Sequence, residues 1–192
     1  MGKIVVTEFT SLDGVMEAPG GEDFKYENWS FQFDRGDDGD KFKLDEALQA
    51  EALLLGRRTY ESFAGAWPDR EGPFADKLNE MPKYVVSSTM DEAEWNNTTV
   101  LPAKDVVAEV TELKGSIDGE IQLPGSNQLV HELFAAGLVD QVNLMVFPVV
   151  LGLPDAKRVF GSMDDMVKLK LTESRTVGSD GTQVMIYEVP SG

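Results

Sequence analysis

The pattern of hydrophobic and polar positions predicts helices and strands that alternate along the chain. Runs of β-branched and aromatic residues are typical of strands, whereas residues 40–50 carry apolar side chains at helical spacing. The predicted strands are 3–9, 52–55, 84–88, 120–123 and 141–151, the predicted helices are 40–50, 57–64, 76–81, 105–114 and 127–136, and residues 167–189 predict a hairpin that turns at 178–181.

This alternation predicts an α/β fold in three layers, with a mostly parallel central sheet, helices on both faces and an antiparallel C-terminal hairpin. The chain has 192 residues and no low-complexity linker, so we expect a single domain over residues 1–192. Ligands of such sheets bind beyond the carboxyl ends of the strands. The strand ends are therefore where functional residues are expected.

Residues 17–40 form a long polar stretch that contains aromatic residues at positions 24, 26, 29, 31 and 33. A loop of this length in a compact domain is usually a lid or a binding loop. Trp29, Phe31 and Phe33 are candidates for stacking on a flat heterocyclic substrate. The alternative is that these rings pin the loop to the body of the protein.

Composition narrows the classes of partner. The 34 acidic and 17 basic residues give a formal net charge of −17, which disfavours nucleic acid and anionic membrane surfaces. There is no cysteine and only one histidine, so we expect no disulfide, no thiolate nucleophile and no metal site. Glu8 interrupts the N-terminal apolar run, which predicts neither a signal peptide nor a membrane span and hence a cytoplasmic protein.

Three predicted strand ends carry glycine or hydroxyl residues, at 55–61 (Leu-Gly-Arg-Arg-Thr-Tyr-Glu), 86–89 (Val-Ser-Ser-Thr) and 124–128 (Pro-Gly-Ser-Asn-Gln). Glycine permits close approach of a ligand, free amides at a helix start attract anions, and arginine pairs with phosphate. One such junction is more often a plain helix cap, but three in succession predict a phosphate or dinucleotide site. The Rossmann and P-loop glycine motifs are both absent from the sequence.

Several of these segments resemble the dihydrofolate reductase-like family. They are residues 5–14 (Val-Val-Thr-Glu-Phe-Thr-Ser-Leu-Asp-Gly), 55–61, 85–88 and Gly125-Ser126-x-x-Leu129. The sequence is most similar to the branch that contains the reductase domain of the bifunctional riboflavin biosynthesis deaminase-reductase. The resemblance implies NADPH-dependent hydride transfer to a pteridine-like or diaminopyrimidine-like heterocycle, with the cofactor supplying the hydride chemistry. Pro124 and Ser126 depart from the family pattern, in which small residues and a second glycine are common.

The resemblance also implies roles for matched residues in binding the cofactor. They are Gly56, Arg57, Arg58 and Thr59 toward the phosphates, Ser87 and Ser88 toward the adenosine ribose and its 2′-phosphate, Gly125, Ser126, Asn127 and Gln128 toward the pyrophosphate, and Leu12 and Gly14 in the loop over the nicotinamide. A 2′-phosphate carries about two negative charges, so the paired arginines favour NADPH over NADH.

The carboxylate that handles the proton has two candidates. The family spacing counted back from Gly56 points to Asp40, which the helix pattern also allows as a capping residue. Asp13 lies in the loop beside the nicotinamide, and its alternative role is that of the aspartate in an Asp-Gly turn. Both alternatives stay open on the sequence alone.

The sequence leaves a second functional class open, a non-catalytic domain of the same fold that binds a nucleotide or a partner. By analogy with the family, we expect a homodimer in which the strand at 141–151 and its neighbours pair across the interface. Lys157 and Arg158 are the only neighbouring basic residues late in the chain that could bind a substrate phosphate. They are equally well explained as solvated surface residues. The sequence therefore shows no second basic cluster for a substrate phosphate, and a phosphorylated and an unphosphorylated small heterocycle both stay open.

Overall fold

The computed structural model describes residues 1–20, 23–161 and 166–190. In this part of the chain, eight strands form one sheet in the order β4-β3-β2-β5-β1-β6-β8-β7. The strands are β1 (Lys3–Ser11), β2 (Ala50–Gly56), β3 (Lys83–Ser87), β4 (Thr98–Pro102), β5 (Glu120–Pro124), β6 (Val139–Phe147), β7 (Lys170–Val177) and β8 (Thr182–Glu188). The helices are α1 (Gly36–Gln49), α2 (Arg57–Ala66), α3 (Pro73–Glu80), α4 (Val106–Ser116) and α5 (Asn127–Ala135), with a short 3₁₀ helix at Trp29–Gln32.

The predicted fold class is confirmed. Strands β1 to β6 pair in parallel, and the β7–β8 hairpin joins β6 in antiparallel fashion. Leu53, Leu54 and Leu55 are all fully buried, because successive side chains of a strand point to opposite faces and both faces are covered. Leu54 packs in a core with residues of α4 and α5, whereas its two neighbours pack with residues of α2 and α3.

Several elements differ from prediction, among them one whole strand and the bounds of β6 and α1. Strand β4 was not predicted, since it is a short edge strand whose residues are only partly buried. Strand β6 ends at Phe147 rather than at residue 151, because the next residue, Pro148, has no amide to donate to a sheet. Helix α1 begins at Gly36, which places Asp40 inside the helix and rules out the capping role considered for it.

The chain connections open a crevice at the carboxyl edge of the sheet. Strand β5 lies between β2 and β1, whose connections lead to the face that carries α2 and α3. The connection after β5 leads to α5 on the other face. Adjacent strands whose connections part in this way leave a ligand crevice beyond their carboxyl ends. Pairing of β1 with β5 ends at Thr7 and Pro124, so the last residues of β1 extend into this crevice.

The predicted dimer strand, β6, is hydrogen-bonded to β1 on one side and to β8 on the other. It therefore has no edge left for a partner's strand. The sheet ends instead at β7, whose residues from Lys170 to Thr176 are exposed. None of the helices in the described ranges is long and apolar enough to cross a membrane.

Candidate active site

The β2–α2 and β5–α5 junctions touch each other at the crevice. The Oγ of Ser126 accepts the amide hydrogen of Gly56 at 2.8 Å and lies 2.8 Å from the Oγ1 of Thr59. Gly125 and Ser126 both adopt positive φ, at 77° and 66°, which turns the chain tightly from β5 into α5. A side chain at Gly125 would meet Thr59 at 3.1 Å. These contacts hold two helix starts side by side.

The two adjacent helix starts differ electrostatically from the others. Among the α-helices of the described ranges, α1, α3 and α4 each carry an acidic residue in the first turn, whereas α2 and α5 carry none. Neither α2 nor α5 has a side-chain cap, so no N-cap side chain occupies the first amides of these helices. In a protein with a formal net charge of −17, no acidic side chain in the first turn of α2 or α5 offsets the positive end of that helix. The pair fits a pyrophosphate.

The two arginines at the start of α2 differ in availability. Arg57 pairs with Glu61 one turn along the helix, with Nη1 at 2.7 Å from Oε1. Arg58 is exposed and makes no hydrogen bond or ion pair within the described ranges. Burial acts to raise the pKa of Glu17, but Lys157 and, at longer range, Arg58 hold it below its usual value. The guanidinium of Arg58 is thus free to bind an anion.

The predicted hydroxyl and amide ligands differ in exposure. Ser87 is buried, and its Oγ accepts the amide hydrogens of Thr89 and Met90 at 3.2 and 3.0 Å, so it organises the turn after β3. Ser88 lies exposed beside it. At the start of α5, Asn127 is half-buried and Gln128 is exposed.

Asp13 ties two loops together. Its carboxylate accepts hydrogen bonds from the Ser11 hydroxyl at 2.6 Å and from the amides of Leu151 and Gly152 at 3.1 and 2.9 Å. Burial acts to raise the pKa of Asp13, but these hydrogen bonds together lower it below its usual value. Gly14 closes the turn with φ of 82°. The arrangement matches the alternative in which Asp13 is the aspartate of an Asp-Gly turn. Because its pKa is lowered, Asp13 has no proton to donate near neutral pH.

Leu12, beside Asp13, is 67% exposed just beyond the carboxyl end of β1. Its amide donates to the carbonyl of Val149 at 2.8 Å, which fixes the backbone while the side chain stays in solvent. This position suits contact with a bound ligand.

Asp40 and two of the predicted stacking residues line one cavity of about 270 Å³. The carboxylate of Asp40 is exposed and pairs with the Nε of Arg35 at 2.5 Å. Phe31 and Phe33 also line the cavity; Phe31 is 64% exposed, whereas Phe33 packs against Phe147 with ring centroids 5.8 Å apart. The cavity therefore presents aromatic rings beside a carboxylate.

Trp29 is not on that surface. It is 1% exposed, its ring packs edge-on against Phe147 with centroids 5.5 Å apart, and its Nε1 donates to the carbonyl of Glu17 at 2.9 Å. This burial matches the pinning alternative for Trp29, and its ring has no open face for a substrate. The predicted lid at 17–40 also includes residues 21 and 22, which lie outside the described residues.

Sequence reasoning missed Glu8 as a site residue. Glu8 lies near the end of β1, is 6% exposed, and its Oε1 accepts the amide hydrogen of Gly125 at 2.7 Å. Burial raises the pKa of Glu8 to about 8. A carboxyl group in the middle of a β-branched strand was the available signal, since charged side chains are almost never fully buried unless paired.

A second buried carboxylate, Glu46, lies across β1 from Glu8. Its oxygens accept hydrogen bonds from Thr7 at 3.0 Å, Lys43 at 2.6 Å and Asn143 at 2.7 Å. Sequence reasoning did not single out Glu46, because the sequence does not show which face of α1 meets the sheet. The network anchors α1 to the strands below the crevice.

The sheet order and the helix placement define an α/β protein of the dihydrofolate reductase-like fold. Residues 2–182 match the model of the RibD C-terminal domain. The chain is 27% identical over 190 residues to the protein YyaP of Bacillus subtilis (strain 168), which covers 96% of this chain and 94% of YyaP.

Solved structures agree on the fold. A putative riboflavin biosynthesis protein from Shewanella sp. PV-4 superposes with a TM-score of 0.75 at 19% identity, covering 98% of this chain and 99% of that one. Dihydrofolate reductase from Enterococcus faecalis, in complex with NADP(H), superposes with a TM-score of 0.63 at 16% identity, covering 98% of this chain and 97% of that one. The chain belongs to the RibD C-terminal domain family, which is of reductase type.

Proposed function

We propose that this protein is an NADPH-dependent reductase that transfers hydride to a pteridine-like or diaminopyrimidine-like heterocycle. The observation that carries the proposal is the pair of helix starts, α2 and α5, which have no acidic first-turn residue and are joined by Ser126 at the carboxyl edge of the sheet. A dinucleotide needs such a cradle because its pyrophosphate is best held by backbone amides at helix N-termini. The family and the NADP(H)-bound dihydrofolate reductase of the same fold support this assignment.

The proposed cofactor site uses the chain's own residues as follows. The amides at the starts of α2 and α5, with Thr59 and Ser126 between them, bind the pyrophosphate. Arg58 pairs with the 2′-phosphate and Ser88 contacts the adjoining ribose, since both residues are exposed. Leu12 and Gly14 cover the nicotinamide end of the crevice. Bound NADPH supplies the hydride, and the protein orients it and excludes water.

The proposed substrate is a flat heterocycle that carries no phosphate. Phe31 and Phe33 offer aromatic surface beside Asp40, an arrangement that suits an amino-substituted ring. Lys157 and Arg158 support a substrate without a phosphate, because both side chains already have partners within the protein. Lys157 pairs with Glu17, and Arg158 donates to the backbone carbonyls of Leu153 and Ala156 at 3.2 and 3.3 Å.

Titration of the purified protein with NADPH and NADH tests the proposal. We expect clear preference for NADPH, followed by oxidation of the cofactor when dihydrofolate, dihydropterins or pyrimidine intermediates are supplied. Binding of NADPH without turnover on any heterocycle would favour the non-catalytic alternative. Binding of neither nucleotide would contradict the cofactor assignment itself.

We also propose a homodimer, with β7 as the sheet edge at the interface, because β6 is paired on both sides. Light scattering measures the state directly. A single peak at the mass of 21.1 kDa would contradict the dimer.

A further inference from the structure

We propose that Glu8 delivers the proton that must accompany hydride transfer in this protein. The inference rests on the proposed reductase function and names the acid within that site. Glu8 lies where β1 extends past β5 into the crevice, directly opposite the β5–α5 junction. Its Oε1 accepts the Gly125 amide hydrogen at 2.7 Å, which fixes the carboxyl group in one orientation.

The second oxygen of Glu8 is free to carry the transferable proton. Within the described ranges, Oε2 makes no hydrogen bond, and the only side-chain oxygen or nitrogen that is both sealed from solvent and unpartnered there is the Oγ1 of Thr182. Oε2 therefore keeps a small solvent-accessible surface, although Glu8 as a whole is only 6% exposed. A carboxylic acid with one oxygen held by an amide and the other facing a ligand is arranged to donate through its O–H.

The other carboxyl groups near the crevice are occupied. Asp13 accepts three hydrogen bonds, two of them from backbone amides. Asp40 is exposed and paired with Arg35. Glu46 is paired with Lys43 and lies on the opposite face of β1. Glu8 has no cation within ion-pair distance in the described ranges, so no ion pair holds it as a carboxylate.

The charged groups around Glu8 are few, and desolvation by burial is the largest influence on it. Burial raises the pKa of Glu8 to about 8, and the nearby Glu46 acts in the same direction. The Gly125 amide and the Lys43 cation on α1 act to lower it. The neighbouring residue on β6, Leu144, is apolar, and the first turn of α5 carries no acid. Glu8 is thus a protonated acid at pH 7.

The proposed step balances with a reduced nicotinamide dinucleotide as the reductant. The hydride adds to the carbon of a C=N or C=O group in the substrate, and the electron pair of that double bond moves to nitrogen or oxygen. That atom takes the proton from Oε2 of Glu8 as the O–H bond breaks. Glu8 is left as a carboxylate and regains a proton from solvent, while the nicotinamide leaves oxidised.

Glu8→Gln tests the step, because glutamine keeps the length and the Oε1 acceptor for Gly125 but has no acidic proton. We expect kcat to fall about 100-fold or more, the usual contribution of a general acid, with an unchanged Kd for NADPH. The wild-type rate should fall as the pH rises through about 8. Glu120→Gln is the matched control, since Glu120 lies at the amino end of the same strand pair, beside Lys3.

Infrared difference spectroscopy gives a readout that needs neither cofactor nor turnover. We expect the carbonyl band of a protonated carboxylic acid near pH 6, its loss on titration to pH 10, and its absence in Glu8→Gln. Absence of the band from the wild-type protein, or a Glu8→Gln variant with wild-type kcat and pH profile, would overturn the proposal. If NADPH does not bind, both the reductase function and the proton delivery by Glu8 are contradicted. The infrared carbonyl band would still show whether Glu8 is protonated.

Discussion

The hydroxyl of Ser126 accepts the amide hydrogen of Gly56 at 2.8 Å, and this bond joins the starts of two helices that are 70 residues apart in sequence. Gly56 has an extended backbone with φ of −83°, so its conformation alone does not require glycine. Glycine is required here by the lack of room for a side chain, because a Cβ at Gly56 would lie 2.8 Å from the Cβ of Ser126 and closer still to its Oγ. The absent side chain lets the two junctions touch.

Gly56→Ala should therefore separate the two helix starts. We expect a loss of about 1–3 kcal/mol in the free energy of unfolding, the usual effect of overpacking, together with weaker binding of NADPH. Urea denaturation and nucleotide titration measure the two effects. The reason is steric, so the damage should depend on the residue at position 126.

Ser126→Gly provides the matched test. It removes the side chain that a methyl group at position 56 would meet, and it also relieves the positive φ of 66° at position 126. The double variant Gly56→Ala/Ser126→Gly should recover most of the stability lost by Gly56→Ala. Strictly additive effects would show that Gly56 and Ser126 do not interact as described.

The arginines of α2 should distinguish the two nucleotides. Arg57→Ala and Arg58→Ala should each weaken NADPH binding by removing a charge-assisted contact of about 1.5–3 kcal/mol, with little change in NADH binding. We expect the larger effect for Arg58, because Arg57 is already paired with Glu61. Calorimetric titration with both nucleotides measures the difference.

Arg70→Ala is the control for these variants, since Arg70 is exposed and stacks on Trp67 with the guanidinium 4.6 Å from the ring centroid. It should leave both affinities unchanged. Equal weakening of NADPH and NADH by Arg58→Ala would identify that residue as structural and contradict its pairing with the 2′-phosphate.

Asp13 should prove important for stability. Asp13→Asn replaces one acceptor oxygen with an NH₂ group that faces the amides of Leu151 or Gly152, so we expect a loss of about 1–3 kcal/mol. Because the pKa of Asp13 is lowered in the folded protein, its stabilisation is present above its usual pKa and is lost as the pH falls through the lowered value. Denaturation at neutral and acidic pH measures both effects.

Asp40→Asn is the comparison, because the exposed Asp40–Arg35 pair should contribute only about 0–1 kcal/mol. If Asp13→Asn left stability intact and abolished only turnover, Asp13 would be the acid and the role argued for Glu8 would be wrong.

Sequence patterns were sufficient for the layers of the fold and for the three strand ends, because burial periodicity and glycine punctuation are local signals. The contact between Gly56 and Ser126 was not predictable in the same way, since it depends on β5 lying beside β2 in the sheet. Glu8 and Glu46 were missed for a related reason. Each carboxyl group acquires its role from elements far away in sequence, Gly125 for one and Asn143 for the other.

Glu8 should also make stability depend on pH in a defined direction. Its pKa is raised from 4.5 to about 8 by burial, so between these values the folded state binds a proton that the unfolded state does not. The stabilisation is therefore fully present below about pH 4.5 and is lost as the pH rises through about 8. The slope attributable to one such group is about −1.4 kcal/mol per pH unit. Urea denaturation from pH 5 to 9 should show a steeper decline for the wild-type protein than for Glu8→Gln, while Glu120→Gln retains the wild-type slope. Parallel curves for all three proteins would mean that Glu8 is ionised in the folded state at neutral pH.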